Sequence, residues 1–216
     1  MRFEGFPEAA FMFYEGLEAD NSKSYWNDHR AVYEECVKAP LGALLAELEA
    51  EFGAPKLFRP YRDVRFSKDK SPYKTQAGAS AAGRDGNAGG YLHLSAEGLF
   101  VAGGYYQTAP DQVERLRAAI ADDGRGGELQ AILGTARRAG FTPSGDELKT
   151  VPRGYPADHP RADLLRYKSL VLWRQWPPEP WLHTRDALNR IRRAWRALGP
   201  LHGWLDHNVG ASDRPG

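Results

Sequence analysis

The chain has 216 residues, near the upper end of the usual domain size, so it can bury one large core and stand alone. Apolar residues make up 42% and charged residues 26%, proportions that exclude a wholly disordered or fibrous chain. With 29 basic and 28 acidic residues the formal net charge is +1. That balance excludes a global electrostatic drive toward nucleic acid or anionic membrane and confines any anion site to a local patch.

Cys36 is the single cysteine, so no internal disulfide and no cysteine-based zinc site can form, which suits a reducing cytosol. The flanking helix pattern supplies no evident partner, and a small buried residue is expected. The opening residues, Met1 to Pro7, lead into an amphipathic segment without an apolar run of signal-peptide length. Nor does any apolar run approach the roughly 20 residues that cross a bilayer. The expectation is a soluble, cytoplasmic protein with no membrane partner.

Phe6, Ala10, Phe13 and Leu17 recur at helical spacing behind Pro7 and predict a helix over residues 7–19. Ser24 is placed to cap a second helix with Trp26, Tyr33, Val37, Leu41, Leu44, Leu48 and Phe52 on one face, ending at Gly53 and kinked or broken at Pro40. Leu57 to Phe66 reads as a strand, followed by a charged turn from Ser67 to Pro72. The run from Ala77 to Gly90 has almost no side chain to bury and predicts a mobile Gly/Ala-rich loop, able to serve as a lid or as a plain surface insertion.

Gly90 to Ser95 and Leu99 to Gln107 flank a short Ala-Glu-Gly link and predict a β-hairpin. A helix opens at Thr108 and Pro110 with Val113, Leu116 and Ile120 inward, and another carries Leu129, Ile132, Leu133 and Ala136 before Gly140. Leu148 to Val151 and Lys168 to Trp176 have strand character, and Thr184 can cap a last helix with Leu188, Ile191, Trp195 and Leu198 in one stripe. Residues 210–216 are expected to form a flexible tail. Together these elements predict one α+β domain over residues 1–216, with a central, mainly antiparallel sheet covered by N-terminal, middle and C-terminal helices.

Chemistry concentrates in residues 59–75. Arg59, Arg62, Arg65, Lys68, Lys70 and Lys74 stand against only Asp63 and Asp69, a local charge of +4 in a chain that is otherwise near neutral. On a regular strand Arg59, Tyr61, Asp63 and Arg65 share one face and Arg62, Val64 and Phe66 the other. Asp63 then lies within reach of arginine, stays ionised and can orient guanidinium groups toward a phosphate or carboxylate. The following turn returns Lys70 and Lys74 to the strand end, with Tyr73 as an aromatic platform or phenol donor.

In this stretch the sequence resembles a family of uncharacterised, mostly bacterial proteins, DUF2461, whose signature has the form R-x-x-R-D-x-R-F-x-x-[DN]-K-x-x-Y. Arg59, Arg62, Asp63, Arg65, Phe66, Asp69, Lys70 and Tyr73 fill every specified position. Gly5-Phe6-Pro7, Asn21 to Trp26, Leu99 to Gln107, and Val151 to Pro156 with Asp158-His159-Pro160 are similar to the family as well. At the first of the aromatic positions this chain departs from the family's paired asparagines and Trp-Phe, having Asp20-Asn21 and Tyr25-Trp26. The resemblance implies membership and carries over no catalytic residue.

The common nucleotide, metalloprotease and hydrolase motifs are missing. His202, Asp206 and His207 have a metal-compatible spacing but no second cluster, so a solvated helix end is expected and no metal site is assigned. His93 shares a strand face with Tyr91 and Ser95 and is the preferred general base, with His159 next, although a hydrogen-bonded structural histidine is the more favoured reading of each. Trp173, Trp176 and Trp181 around a proline-rich link read as packing, and the arginines of the last helix as a solvated stripe.

These readings favour a binding protein or enzyme for a small anionic ligand. Arg59, Arg62, Arg65, Lys70 and Lys74 would bind it, and Asp63, Tyr73 and His93 are the catalytic candidates. A nucleic-acid binder using the same cluster is the less favoured alternative, and a protein-interaction module with a structural Arg/Asp network is the third. No cofactor is implied, and the oligomeric state is open.

Overall fold

The computed structural model describes residues 2–63, 65, 68–81 and 89–213. Its α+β architecture is the one the sequence predicts. Six strands form an antiparallel sheet in the order β1-β2-β3-β4-β6-β5, from β1 (Pro55–Leu57), β2 (Gln76–Ala81), β3 (Gly90–Ser95), β4 (Gly98–Tyr105), β5 (Thr142–Ser144) and β6 (Leu170–Trp176). The helices are α1 (Glu8–Ala19), α2 (Lys23–Asp28), α3 (Arg30–Val32), α4 (Ala39–Phe52), α5 (Pro110–Ala121), α6 (Asp123–Arg138), α7 (Ala162–Leu165) and α8 (Asp186–Asn208). None is long and apolar enough to cross a membrane.

The chain divides into two compact units. Residues 1–81, 91–101 and 175–194 form the first, and residues 82–90, 102–174 and 195–216 the second.

In the first unit the helical region after α1 is broken more than its periodicity predicts. Ser22, not Ser24, caps α2 by accepting the Tyr25 N–H at 3.1 Å. Before Pro40 the backbone widens into a π-helical stretch, Tyr33–Lys38, where the Ala39 N–H bonds the Glu34 carbonyl five residues back. Proline has no N–H and its ring crowds the preceding turn, so a register change there lets α4 start with Pro40 in its first turn. Gly53 ends α4 at φ 87°, a conformation that side chains disfavour.

One strand expectation and one loop expectation are corrected. The predicted strand 57–66 shrinks to Pro55–Leu57, because Pro60 cannot donate to a ladder and Asp63 folds back on the Arg65 N–H. The small-residue run opens as strand β2 rather than as a mobile loop: Ala77, Ala79 and Ala81 are buried, and β1 pairs antiparallel with β2 from Pro55↔Ala81 to Leu57↔Ala79. Small residues there serve close packing. Residues 82–88 of the predicted loop lie outside the described residues. On β3 and β4, Leu92, Leu94, Leu99 and Val101 are fully buried while Tyr91, His93 and Phe100 are half-exposed, the pattern of a sheet with one covered face.

The second unit packs α5 and α6 through Leu116, Ala119, Ile120, Leu129, Leu133 and Ala136. Arg161 is buried there, and its guanidinium donates to the carbonyls of Ile120 and Ala121 and to Asp123, closing the C-terminal end of α5. Leu148 to Val151 is not a strand; the pairing expected of it is a single bridge, Glu147↔Tyr167, and the strand beside β6 is Thr142–Ser144. Residues 210–213 of the predicted flexible tail are tied down. Arg115 donates to the Val209 and Ala211 carbonyls and to Asp213, while Asp111 accepts from Ser212 and the Asp213 N–H.

Candidate functional site

The signature stretch is a hairpin carried by β1 and β2. Beyond the strand pairs, the Phe58 N–H bonds the Gly78 carbonyl at 2.9 Å. Farther out, the Arg62 N–H donates to the Pro72 carbonyl at 3.0 Å and the Lys74 N–H to the Pro60 carbonyl at 2.8 Å, around a bridge between Tyr61 and Tyr73. The described residues beyond this bridge, 63, 65 and 68–71, therefore lie at the tip of a narrow two-stranded neck, where 63, 65 and 68–70 are exposed.

One side of the neck belongs to the core. Tyr73 is 5% exposed, and its ring stacks on Trp26 at 4.3 Å with an interplanar angle of 7°. Asn21 brackets the Tyr73 backbone, accepting its N–H and donating to its carbonyl, both at 3.1 Å. Tyr61 joins the same cluster from the rim, 50% exposed and 6.1 Å from Trp26. Burial raises the Tyr73 phenol above its ordinary value. The residue expected to be an outward platform is thus the anchor of the hairpin. This stacking also joins two stretches that the sequence treats separately, Asn21 to Trp26 and the basic signature.

At the tip both carboxylates are engaged. Arg65 grips Asp63 in a bidentate pair at 2.6 and 3.0 Å, and the Arg65 N–H adds a third bond. The Arg65 bonds hold the Asp63 carboxyl below its ordinary value, so it is an anion at neutral pH. Arg62 pairs with Asp69, which also accepts from the Ser71 N–H and hydroxyl. Val64 and Phe66 lie outside the described residues. Lys56, Arg59, Lys68 and Lys74 make no ion pair among the described residues. Of the expected ligand-binding residues, Arg62 and Arg65 are paired, Arg59 and Lys70 are exposed, and Lys74 is half-exposed.

Lys74 and Lys56 converge on one ring. Their ammonium groups lie 5.8 and 5.9 Å from the centre of Phe58. Phe58 in turn lies 6.3 Å from Tyr91, nearly parallel at 27°. The Tyr91 hydroxyl accepts from the Gln76 amide at 3.2 Å and sits 3.1 Å from His93 Nδ1. Burial lowers the His93 imidazole to about 4, so it is neutral at pH 7. The Tyr91 hydroxyl and the neutral His93 Nδ1 share a hydrogen bond whose direction follows the imidazole tautomer. The His93 ring stacks on Phe100 at 4.6 Å and 6°.

No hydrogen bond joins Asp63, Tyr73 and His93 to one another among the described residues. Asp63 is engaged at the tip, Tyr73 in the core and His93 on the sheet. Lys56, Phe58 and Gln76 were missed as site residues by sequence reasoning. The alternation of Lys56 and Phe58 on β1, opposite in parity to Leu57, was the available signal.

The other candidates resolve into packing. His159 accepts the Arg161 N–H at 3.0 Å, and Trp176 meets Trp181 edge-on at 5.8 Å with Arg190 over the latter. In the last helix Arg185 pairs with Glu47, Arg190 and Arg193 with Asp186, and Arg192 with Glu51. His202 is lowered by burial and its Nε2, against Gly103, has no hydrogen-bond partner among the described residues, while Asp206 accepts from Tyr105 at 2.8 Å. A cleft of about 870 Å³ in the second unit contains Tyr106, Glu114, Arg117, Asp146 and Lys168, but its cations are engaged. Lys168 pairs with Asp146 at 2.9 Å, and Arg117 donates to the Leu165 carbonyl.

A comparison with curated proteins finds no match. The sequence profile of a family described as "Conserved hypothetical protein (DUF2461)" matches residues 9–204, spanning α1 to the last turns of α8 and including the whole hairpin. The chain belongs to the DUF2461 family.

Proposed function

We propose that this protein binds an anionic ligand, through phosphate or carboxylate groups, on the outer side of the β1–β2 hairpin. The observation that carries the reading is the placement of Lys56 and Lys74 over one phenyl ring with no carboxylate partner among the described residues. An anion bound beside this ring would meet both ammonium groups. Arg59 and Lys68, which make no ion pair among the described residues, add charge along the same hairpin, while the Arg62–Asp69 and Arg65–Asp63 pairs stiffen its tip. The role is binding rather than proton transfer, because Tyr73 is a core residue and His93 is a weak base at neutral pH.

A thermal-shift screen of phosphate, pyrophosphate, tripolyphosphate and citrate at low salt tests the reading. A ligand at a hundred times its dissociation constant adds about 2.7 kcal/mol, roughly 5 to 10 °C for a chain this long. The expected result is a shift with the polyvalent anions that disappears in Lys56→Ala/Lys74→Ala. No shift with any of them, or an equal shift in the variant, removes the hairpin as the site.

A further inference from the structure

The cleft of about 870 Å³ in the second unit has two walls. On one, Val113, Glu114 and Arg117 recur at helical spacing along one side of α5. On the other, Ser144 and Val171 are ladder partners of β5 and β6 and so share a face of the sheet. Val113 and Val171 are half-exposed and give the cleft an apolar lining. Tyr106 also lines it, 78% exposed, with no ring contact and no hydrogen bond among the described residues. Its ring face and its phenol are both open to a ligand, and no packing has to be broken to use them.

The charges of the cleft cancel. Glu114 and Asp146 balance Arg117 and Lys168, Lys168 is paired with Asp146, and Arg117 is held by the Leu165 carbonyl. Such a lining draws neither anions nor cations. Its polar groups nevertheless lack partners. The Gln107 amide, the Glu114 carboxylate and the Ser144 hydroxyl make no side-chain hydrogen bond among the described residues. The Ser169 hydroxyl, on a residue 3% exposed, accepts the Asp146 N–H at 2.8 Å and donates to no group among them.

We propose that this cleft binds a neutral mono- or disaccharide, with a C–H face of the sugar ring on Tyr106 and hydroxyl groups on Gln107, Glu114 and Ser144. A sugar hydroxyl both donates and accepts, so one ligand type serves a carboxylate, an amide and a hydroxyl together. The volume lies in the range of small-molecule clefts, about 300–1,000 Å³. An extended peptide suits the place less well: the neighbouring edge strand β5 has three residues, and its Pro143 gives no N–H to an added strand. The site is separate from the hairpin and its ligand is uncharged, so it does not rest on the anion-binding reading.

Titration of glucose, galactose, mannose, N-acetylglucosamine, maltose and cellobiose into the full chain tests the proposal, read by saturation-transfer difference and by amide shifts of the nitrogen-15-labelled protein. At least one of these sugars is expected to bind in the millimolar range and to shift amides within residues 106–117, 144–146 and 168–171. Its affinity is expected to be equal at low and moderate salt, and tripolyphosphate is expected not to displace it. Tyr106→Leu keeps an apolar side chain without the ring face and is expected to weaken binding roughly fivefold. Glu114→Gln is expected to weaken it roughly tenfold. Both side chains are exposed, so both variants should keep the wild-type thermal midpoint.

The inference is overturned when none of the six sugars binds, when the shifted amides lie outside the cleft, or when tripolyphosphate displaces the sugar. Equal affinity in Tyr106→Leu and the wild type overturns it as well. The amide map of the wild-type protein does not depend on how any variant folds.

Discussion

The two sides of the hairpin share one stretch of sequence and have opposite fates. On one side Tyr73 is clamped by Asn21 and stacked on Trp26; on the other, Lys56 and Lys74 stand over Phe58 with no acid among the described residues to neutralise them. The family signature is therefore two things at once. Its tyrosine and its Arg–Asp pairs hold the hairpin in place and in shape, and Lys56 and Lys74 beside it carry charge that has no ion pair among the described residues. Counting basic residues along the chain blends these roles, whereas pairing them in space separates them.

The buried side should show the largest effect. Trp26→Ala removes the surface that Tyr73 stacks on, together with the packing against Phe13 and Tyr33, and is expected to lower stability by about 3–5 kcal/mol in urea unfolding. A loss below about 1 kcal/mol would mean that the hairpin is anchored elsewhere.

The pH dependence comes next. The folded-state value of His93, about 4, lies below that of an unfolded histidine near 6.5. Above pH 6.5 neither state binds the proton; between 6.5 and 4 the unfolded state binds it preferentially, so stability falls as pH falls, by roughly 3 kcal/mol in total. His202 acts in the same direction. His93→Leu should flatten the acid limb measured by urea midpoints from pH 7 to 4, and an unchanged limb would show that His93 is not held neutral.

A smaller loss is expected from Asn21→Ala, which frees the Tyr73 N–H and carbonyl from their side-chain partner and should cost about 1–2 kcal/mol. On the other side of the hairpin, Lys56→Ala and Lys74→Ala should leave stability within about 0.5 kcal/mol of the wild type, since each replaces a surface side chain that has no ion pair. Arg65→Ala should likewise fold with an unchanged thermal midpoint, because its pair with Asp63 is solvent-exposed.

Much of the fold was legible in local patterns. The β3–β4 hairpin, the stripes of α5 and α6, and the long terminal helix follow from periodicity and turn chemistry, because their burial is set by neighbours a few residues away. Two of the misreadings involve partners distant in sequence. The alanines of β2 look like loop until β1 is laid beside them, and the tail looks loose until Arg115 and Asp111 reach it from α5. The same holds for the site. Charge density pointed to residues 59–75, but that Tyr73 turns inward depends on Trp26 and Asn21, and that Lys74 shares a ring with Lys56 depends on the pairing of two strands. Neither fact has a signature within the stretch itself.

The most direct test of the hairpin as an anion site is calorimetric titration of tripolyphosphate into the wild-type protein and into Lys56→Ala/Lys74→Ala at 50 mM salt, with thermal midpoints measured alongside. The account predicts binding to the wild type, at least tenfold weaker binding to the variant, and equal midpoints for the two unliganded proteins. Equal affinity in both, or no heat of binding in the wild type, would contradict it.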